Sequence, residues 1–264
     1  MSDNKYKKTL KILLITAFWL GIWELISLII DNRLLFPSMY NVVVRIFELT
    51  FSENSDNNFI ISILCSLGRI GLGILIGIVS GTITAFICSF SKAIYETVYP
   101  FIIVIKATPV ASFIILLLVY TYANIIPVII SALMVLPIVF SNIYQGLKSV
   151  DISLLELCRI YSVPRKKTIR SLYIPSIMPY FTSSLISSIG LGWKAGIAAE
   201  VLCSPINSIG KAIFESKLYF EYVDLFAWTV MVIILSIIFE VVITRLLKSA
   251  LSRITHKYGG RYGS

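Results

Sequence analysis

Long apolar runs separated by short polar segments set the pattern of this chain. Charged residues are sparse within 11–30, 59–90, 100–120, 124–147, 175–203 and 222–247. A helix needs roughly 20 apolar residues to cross the hydrocarbon core of a bilayer. Backbone in lipid must also satisfy its own hydrogen bonds, so each run predicts a transmembrane helix. The two-residue alternation of a membrane β-barrel strand is missing. The expectation is an all-α integral membrane bundle of about six helices, one transmembrane domain over 1–264. The runs at 59–90 and 175–203 are longer than a bilayer requires, so they tilt or extend past it. Pro109, Pro127 and Pro137 fall inside the third and fourth runs, where neighbouring helices can re-satisfy the carbonyls that proline frees. Only a tight turn fits between Tyr120 and Asn124.

Composition supports this reading. Hydrophobic residues make up 57% of the chain and charged ones 14%, with a mean hydropathy of +0.88, well beyond a soluble domain. The net charge of +9 raises nucleic acid as a partner, but the basic residues sit between apolar runs without an aromatic-basic platform. Topology explains them instead. With the N-terminus placed in the cytoplasm, Lys5, Lys7, Lys8, Lys11, Lys92, the basic residues of 148–174 and those of the C-terminal tail all lie inside. Only Arg33, Arg45, Lys211 and Lys217 lie outside. That asymmetry follows the positive-inside rule and puts both termini and the 148–174 loop in the cytoplasm of a multi-pass cell-membrane protein. The first apolar run is too long for a signal-peptide core and lacks a small-residue cleavage site, so it reads as a retained helix.

The chemistry of catalysis is thin. Cys65, Cys88, Cys158 and Cys203 are scattered singly and His256 is the lone histidine, which leaves no metal spacing, no disulfide framework and no catalytic constellation. The chain is expected to be neither an enzyme nor the holder of a cofactor. Gly71-Leu-Gly73 lacks the third glycine of a dinucleotide fingerprint, where Ile76 stands, and no Gly-Lys-Ser/Thr follows. Gly73, Gly77 and Gly81 instead share one helix face, which suits close helix approach. No exact repeat or low-complexity tract is visible. Weak inverted symmetry remains open, which keeps an ion-coupled secondary transporter as the alternative reading.

The loop at 148–174 carries the most information. Ser153 followed by Glu156 has the spacing of a capping box, predicting a short helix to about Tyr161. A turn through Ser162, Val163 and Pro164 then leads to a basic helix ended by Pro175. The segment resembles the EAA loop of ABC importer permeases: Glu156 stands at the Glu position, Ser162 at the Gly, Leu172 and Ile174 at the two aliphatics and Pro175 at the Pro. Leu157 and Cys158 replace the two alanines. Serine in place of glycine makes a left-handed turn less comfortable, so the backbone there is expected to depart from the usual one. Further segments resemble the nitrate/sulfonate/taurine branch of that family: Trp23-Glu24, Phe36-Pro37-Ser38, Ser66-Leu67-Gly68-Arg69, Lys106-Ala107-Thr108-Pro109, the stretch 192–200 and that from Asp224 to Trp228.

The resemblance implies a type I importer permease that performs no chemistry itself. Two copies, read as a homodimer, would form the pathway above two cytoplasmic ATP-binding subunits, which bind the ATP and magnesium, and below an extracytoplasmic substrate-binding protein. Ser153, Glu156, Leu157, Cys158, Tyr161, Ser162, Val163 and Pro164 would form the coupling helix seated on the ATPase; for Glu156, capping and docking both stand. The cargo implied is a small sulfonate, taurine or nitrate-like anion, or a related organic molecule. Charges within apolar runs are costly, by about 3 kcal/mol at the bilayer centre, and so face protein or water. For Arg69, Lys106 and Glu240, snorkelling at helix ends stands beside a functional role. Lys194 and Glu200, six residues apart and off a common face, read together with Trp193 as pathway or dimer-interface residues, as do Arg69 and Lys106.

Overall fold

The computed structural model describes residues 2–30, 36–51 and 58–259. Arg33 and Arg261, two of the charges used to orient the chain, lie outside them. The elements in order are α1 (Ser2–Ile30), α2 (Met39–Phe51), α3 (Asn58–Phe90), α4 (Lys92–Ala107), α5 (Val110–Tyr120) and α6 (Ile126–Lys148). After these come α7 (Ile152–Ile160), α8 (Arg165–Thr168), a π-helical turn (Ile169–Tyr173), α9 (Ile174–Cys203), α10 (Ile209–Leu218) and α11 (Tyr222–Gly259). The described residues contain helices and no strands, as the apolar runs predict.

Four stretches are long and apolar enough to cross a bilayer: Phe59–Phe90, Ile126–Lys148, Arg165–Cys203 and Tyr222–Arg245. Leu14–Ile30 is a shorter apolar helix. The expected span at 100–120, read as one helix tolerating Pro109, is corrected: α4 and α5 are separate helices that meet at a 100° bend. Pro109 causes it. Proline pushes the residue before it out of the helical region, and Thr108 is extended at φ −69°, ψ 125°.

Helix directions decide what the bent pair does. A side chain at Gly77 would strike Ala132 O and Val135 Cβ, both at 2.7 Å, and one at Gly81 would strike Leu136 O at 2.7 Å. Gly73 faces the Val128 carbonyl in the same way. Contacts that advance four residues on each helix mean that α3 and α6 run parallel, backbone against backbone along the glycine face. Ile126 is then level with the turn near Gly71, and Phe90 lies about 28 Å further along α3 at 1.5 Å per residue. The chain between them must return across that distance, so α4 and α5 together form a broken span. Tyr95 stacks on Tyr144 at 4.4 Å near the start of α4, while Lys106 at its end bonds Ser141. Both ends of α4 therefore reach one region of α6, and the helix crosses α6 obliquely. Ile114 of α5 completes the return, packing with Ile126, Ile130, Ala195 and Ala199.

α9 runs antiparallel to α6 and α3. Ser131 donates to Gly192 O at 3.1 Å, and Gly196 lies against Ser131 and Ile70. Pro175 does not end the basic helix as expected. It has no N–H to give the carbonyl four residues back, and the π turn absorbs the mismatch, with Ile174 N–H donating to Ile169 O. α8 thus runs on into α9. Towards the C-terminal end of α1, Glu24 accepts Met39 N–H at 3.2 Å, Trp23 donates to Pro37 O, and Trp23, Phe36 and Phe226 form a ring cluster. Arg45 clasps both oxygens of Asp224 at 2.6 and 2.9 Å, joining α2 to α11.

Candidate functional site

Two sites emerge at opposite ends of the long α8–α9 element. The first is the loop carrying α7. Asp151, rather than Ser153, caps this helix: its Oδ1 accepts Ser153 N–H at 2.8 Å, so the capping-box reading of Ser153 and Glu156 is corrected. A carboxylate at the position before the first helical residue was the signal available in the sequence. At the other end Ser162 N–H donates to Arg159 O at 3.0 Å and Val163 N–H to Cys158 O at 2.8 Å. With Ser162 at φ 48°, this is a Schellman closure. The expected departure from the usual backbone at the serine is therefore overturned: serine takes the left-handed conformation that glycine favours. Pro164 then caps α8.

Between these closures the apolar side chains of α7 are bare. Ile152 is 71% exposed, Ile160 74% and Tyr161 76%, and Leu154 and Leu157 are exposed as well. Glu156 is exposed; Cys158 and Val163 are half-buried.

The second site closes the far end of α9. Glu200 is fully buried. Its Oε2 accepts the Ser66 hydroxyl at 2.6 Å and Gly210 N–H at 3.3 Å, while Oε1 faces Arg69 Nη1 at 3.5 Å without a hydrogen bond of its own. Ser66 in turn accepts Ile209 N–H at 3.0 Å. The carboxylate and serine thus hold the first N–H groups of α10, where the helix dipole favours negative charge. Arg69 donates to Ile206 O at 2.6 Å and Asn207 O at 3.2 Å. Gly210 stacks directly on the Glu200 backbone, where no side chain fits. Ser66 was legible only as part of a family-like segment; nothing in the sequence tied it to Glu200.

Trp193 is buried and packs its ring, tilted by 35°, against Phe239 of α11 at 5.6 Å, its indole nitrogen without a partner among the described residues. Trp193 and Glu200 are both buried inside the protomer, Trp193 against α11 and Glu200 against α3 and α10. Lys106 donates to Ser141 Oγ at 2.9 Å in the last turn of α4. Lys194 differs from all of these. It is exposed on the α9 face that also carries Ser183, Ser187, Leu191 and Ala198, a different face from that of the buried Glu200.

The family model described as binding-protein-dependent transport system inner membrane component matches residues 73–256. The chain is similar to the nitrate import permease protein NrtB of Synechococcus elongatus, with 28% identity over 223 residues, 82% of this chain and 79% of that protein. It is similar to the formylaminopyrimidine transport permease protein ThiX of Halalkalibacterium halodurans, with 25% identity over 182 residues, 69% and 71% of the two chains. A third relative, the bicarbonate transport system permease protein CmpB of Synechocystis sp., is 24% identical over 155 residues, 58% and 55%.

Proposed function

Because the chain belongs to the family of binding-protein-dependent transport system inner membrane components, we propose that it is the permease subunit of an ATP-driven importer for a small anion. Two copies enclose the pathway, two cytoplasmic ATPase subunits sit beneath, and an external binding protein delivers the cargo. The observation that carries this reading is the capped, exposed α7. Four large apolar side chains on one short helix, with Tyr161 at its cap, remain uncovered within the chain, as suits a helix that docks in a groove of another protein.

The coupling follows from the connectivity. ATPase closure displaces α7; the Schellman turn and Pro164 pass the displacement to α8; α8 is continuous with α9. α9 carries Lys194 on its exposed face and Glu200 at its end, so pathway and outer cluster move with the loop. Such a switch requires ligands that bind its two states differently, here nucleotide on one side and cargo on the other. The anion assignment is supported by the nitrate and bicarbonate relatives and by Lys194. ATP and magnesium belong to the partner subunit.

Uptake of labelled nitrate and bicarbonate into cells or vesicles with the whole transporter tests this. Uptake of either anion should require ATP and survive an ionophore. Loss to the ionophore alone, with ATP present, contradicts the reading.

A further inference from the structure

Two opposite charges within the membrane-crossing part of the bundle have no ion-pair or hydrogen-bond partner among the described residues: Lys194 of α9 and Glu240 of α11. An uncompensated charge at that depth is costly and must face protein or water. The two lie on one crossing of helices. Trp193 packs against Phe239, and the Glu240 Oε2 lies 4.0 Å from where a side chain at Gly190 would begin, with nothing nearer. Gly190 is one turn before Lys194 on the same face. Side chains at that spacing are separated by about 5–6 Å between Cβ atoms, and a helical side chain leans back over the turn that precedes it. Lys194 is therefore within reach of the space over Gly190 and of the carboxylate beside it, and its flexible stem can turn either to Glu240 or away from it. The face around it carries Ser183, Ser187 and Ala198 beside the exposed Leu191, so hydroxyls and small side chains make up most of it.

We propose that Lys194, Gly190 and Glu240 form a charge-exchange subsite for a small anion. It rests on the importer reading above and deepens it. When the pathway is empty, the ammonium can swing across Gly190 to Glu240 and away again, and in this structure the two stand apart. An arriving anion takes the ammonium, and Glu240 reclaims it afterwards and so speeds release. Gly190 leaves the floor open for both exchanges.

The test uses the assembled transporter in membrane vesicles, with the four native cysteines replaced and Gly190→Cys introduced, a change the 4.0 Å clearance accommodates. Labelling by an anionic methanethiosulfonate (MTSES) is compared with labelling by a cationic one (MTSET). The expected result is reaction with both, with the anionic-to-cationic rate ratio falling at least tenfold on Lys194→Gln, rising severalfold on Glu240→Gln, and returning near neutral in the double variant. No labelling in any nucleotide state would place this face in lipid and overturn the subsite, while ATP-driven uptake could still stand. A ratio unmoved by either charge change would overturn it as well. A parallel nitrate uptake assay separates the two ideas. The subsite predicts a KM raised at least tenfold by Lys194→Gln and a reduced maximal rate with lower KM for Glu240→Gln. Absence of nitrate and bicarbonate uptake by the unaltered transporter would overturn the anion reading and the subsite together.

Discussion

Ser66 donates its hydroxyl hydrogen to Glu200 Oε2 at 2.6 Å across 134 positions of sequence. This bond, fully buried, joins α3 to the end of α9, and through Ile209 and Gly210 it seats α10 on both. α3, α9 and α10 are thereby fastened into one body at the end opposite α7.

Removing the pieces of that fastening should cost different amounts. Ser66→Ala leaves a buried carboxylate oxygen and Ile209 N–H short of a partner, a loss of about 1–3 kcal/mol. Glu200→Ala breaks the pairing with Arg69 as well and should cost about 3–5 kcal/mol, the range for breaking a buried pair. Glu200→Gln keeps the shape and one acceptor and should fall below Glu200→Ala. Thermal unfolding of the detergent-solubilised complex reads the order; equal effects of the three would show that the cluster does not hold α10.

The glycine face of α3 gives a paired prediction. Gly77→Val inserts bulk where a Cβ alone would sit 2.7 Å from Ala132 O, and should separate α3 from α6 and abolish assembled protein. Gly68→Ala and Gly71→Ala meet nothing within 4 Å and should be neutral, or stabilising by up to about 1 kcal/mol through helix propensity. Yield and thermal stability of the three variants decide it.

Around α7, Asp151→Ala should weaken the helix start by about 1 kcal/mol, whereas Ser153→Ala should not, because Ser153 contributes its backbone N–H rather than its hydroxyl. Ser162→Gly should stabilise the closure, since the left-handed region costs an L-residue about 1–2 kcal/mol. Hydrogen exchange of the loop amides measures both. The reverse order, with Ser153→Ala the more damaging, would restore the capping box.

Much of this was legible in advance, and the failures have physical causes. Apolar length located α3, α6, α9 and α11 because span length is fixed by bilayer thickness. The glycine spacing identified the α3 face, though not that it would meet a parallel α6. Pro109 was taken as a tolerated kink. It makes a 100° bend because the flanking helices pack on different partners, Tyr95 on Tyr144 and Ile114 on Ala195 and Ala199. In the loop, family-like spacing pointed to the right turn residue, Ser162, while local rules misassigned the cap by two positions. Long-range polar pairing was the blind spot. Glu200 drew notice as a buried charge, but its partners Ser66 and Gly210 come from a different helix and a later turn, beyond the reach of periodicity. The same holds for Arg45 and Asp224.

That last pair gives a pH prediction. Hydrogen bonding to Asp224 raises the Arg45 pKa above its ordinary value, with Glu48 adding to it and burial opposing it. A raised pKa contributes stability below the unfolded value that is lost only as pH rises through the folded one. Both lie above any working pH, so the Arg45 contribution should be constant from about pH 6 to about pH 9. Arg45→Gln should lower thermal stability equally at both ends. A loss confined to one end would mean that another group controls the α2–α11 contact.

The most direct test of the central claim is affinity purification of the tagged protein from its own membranes in mild detergent, with mass spectrometry of what accompanies it. The account predicts a soluble ATP-binding subunit in a one-to-one ratio with the permease, lost in Glu156→Arg while the permease itself stays folded in the membrane. A clean homo-oligomer without an ATPase, or an ATPase retained at full ratio by Glu156→Arg with normal ATP-driven uptake, would contradict it.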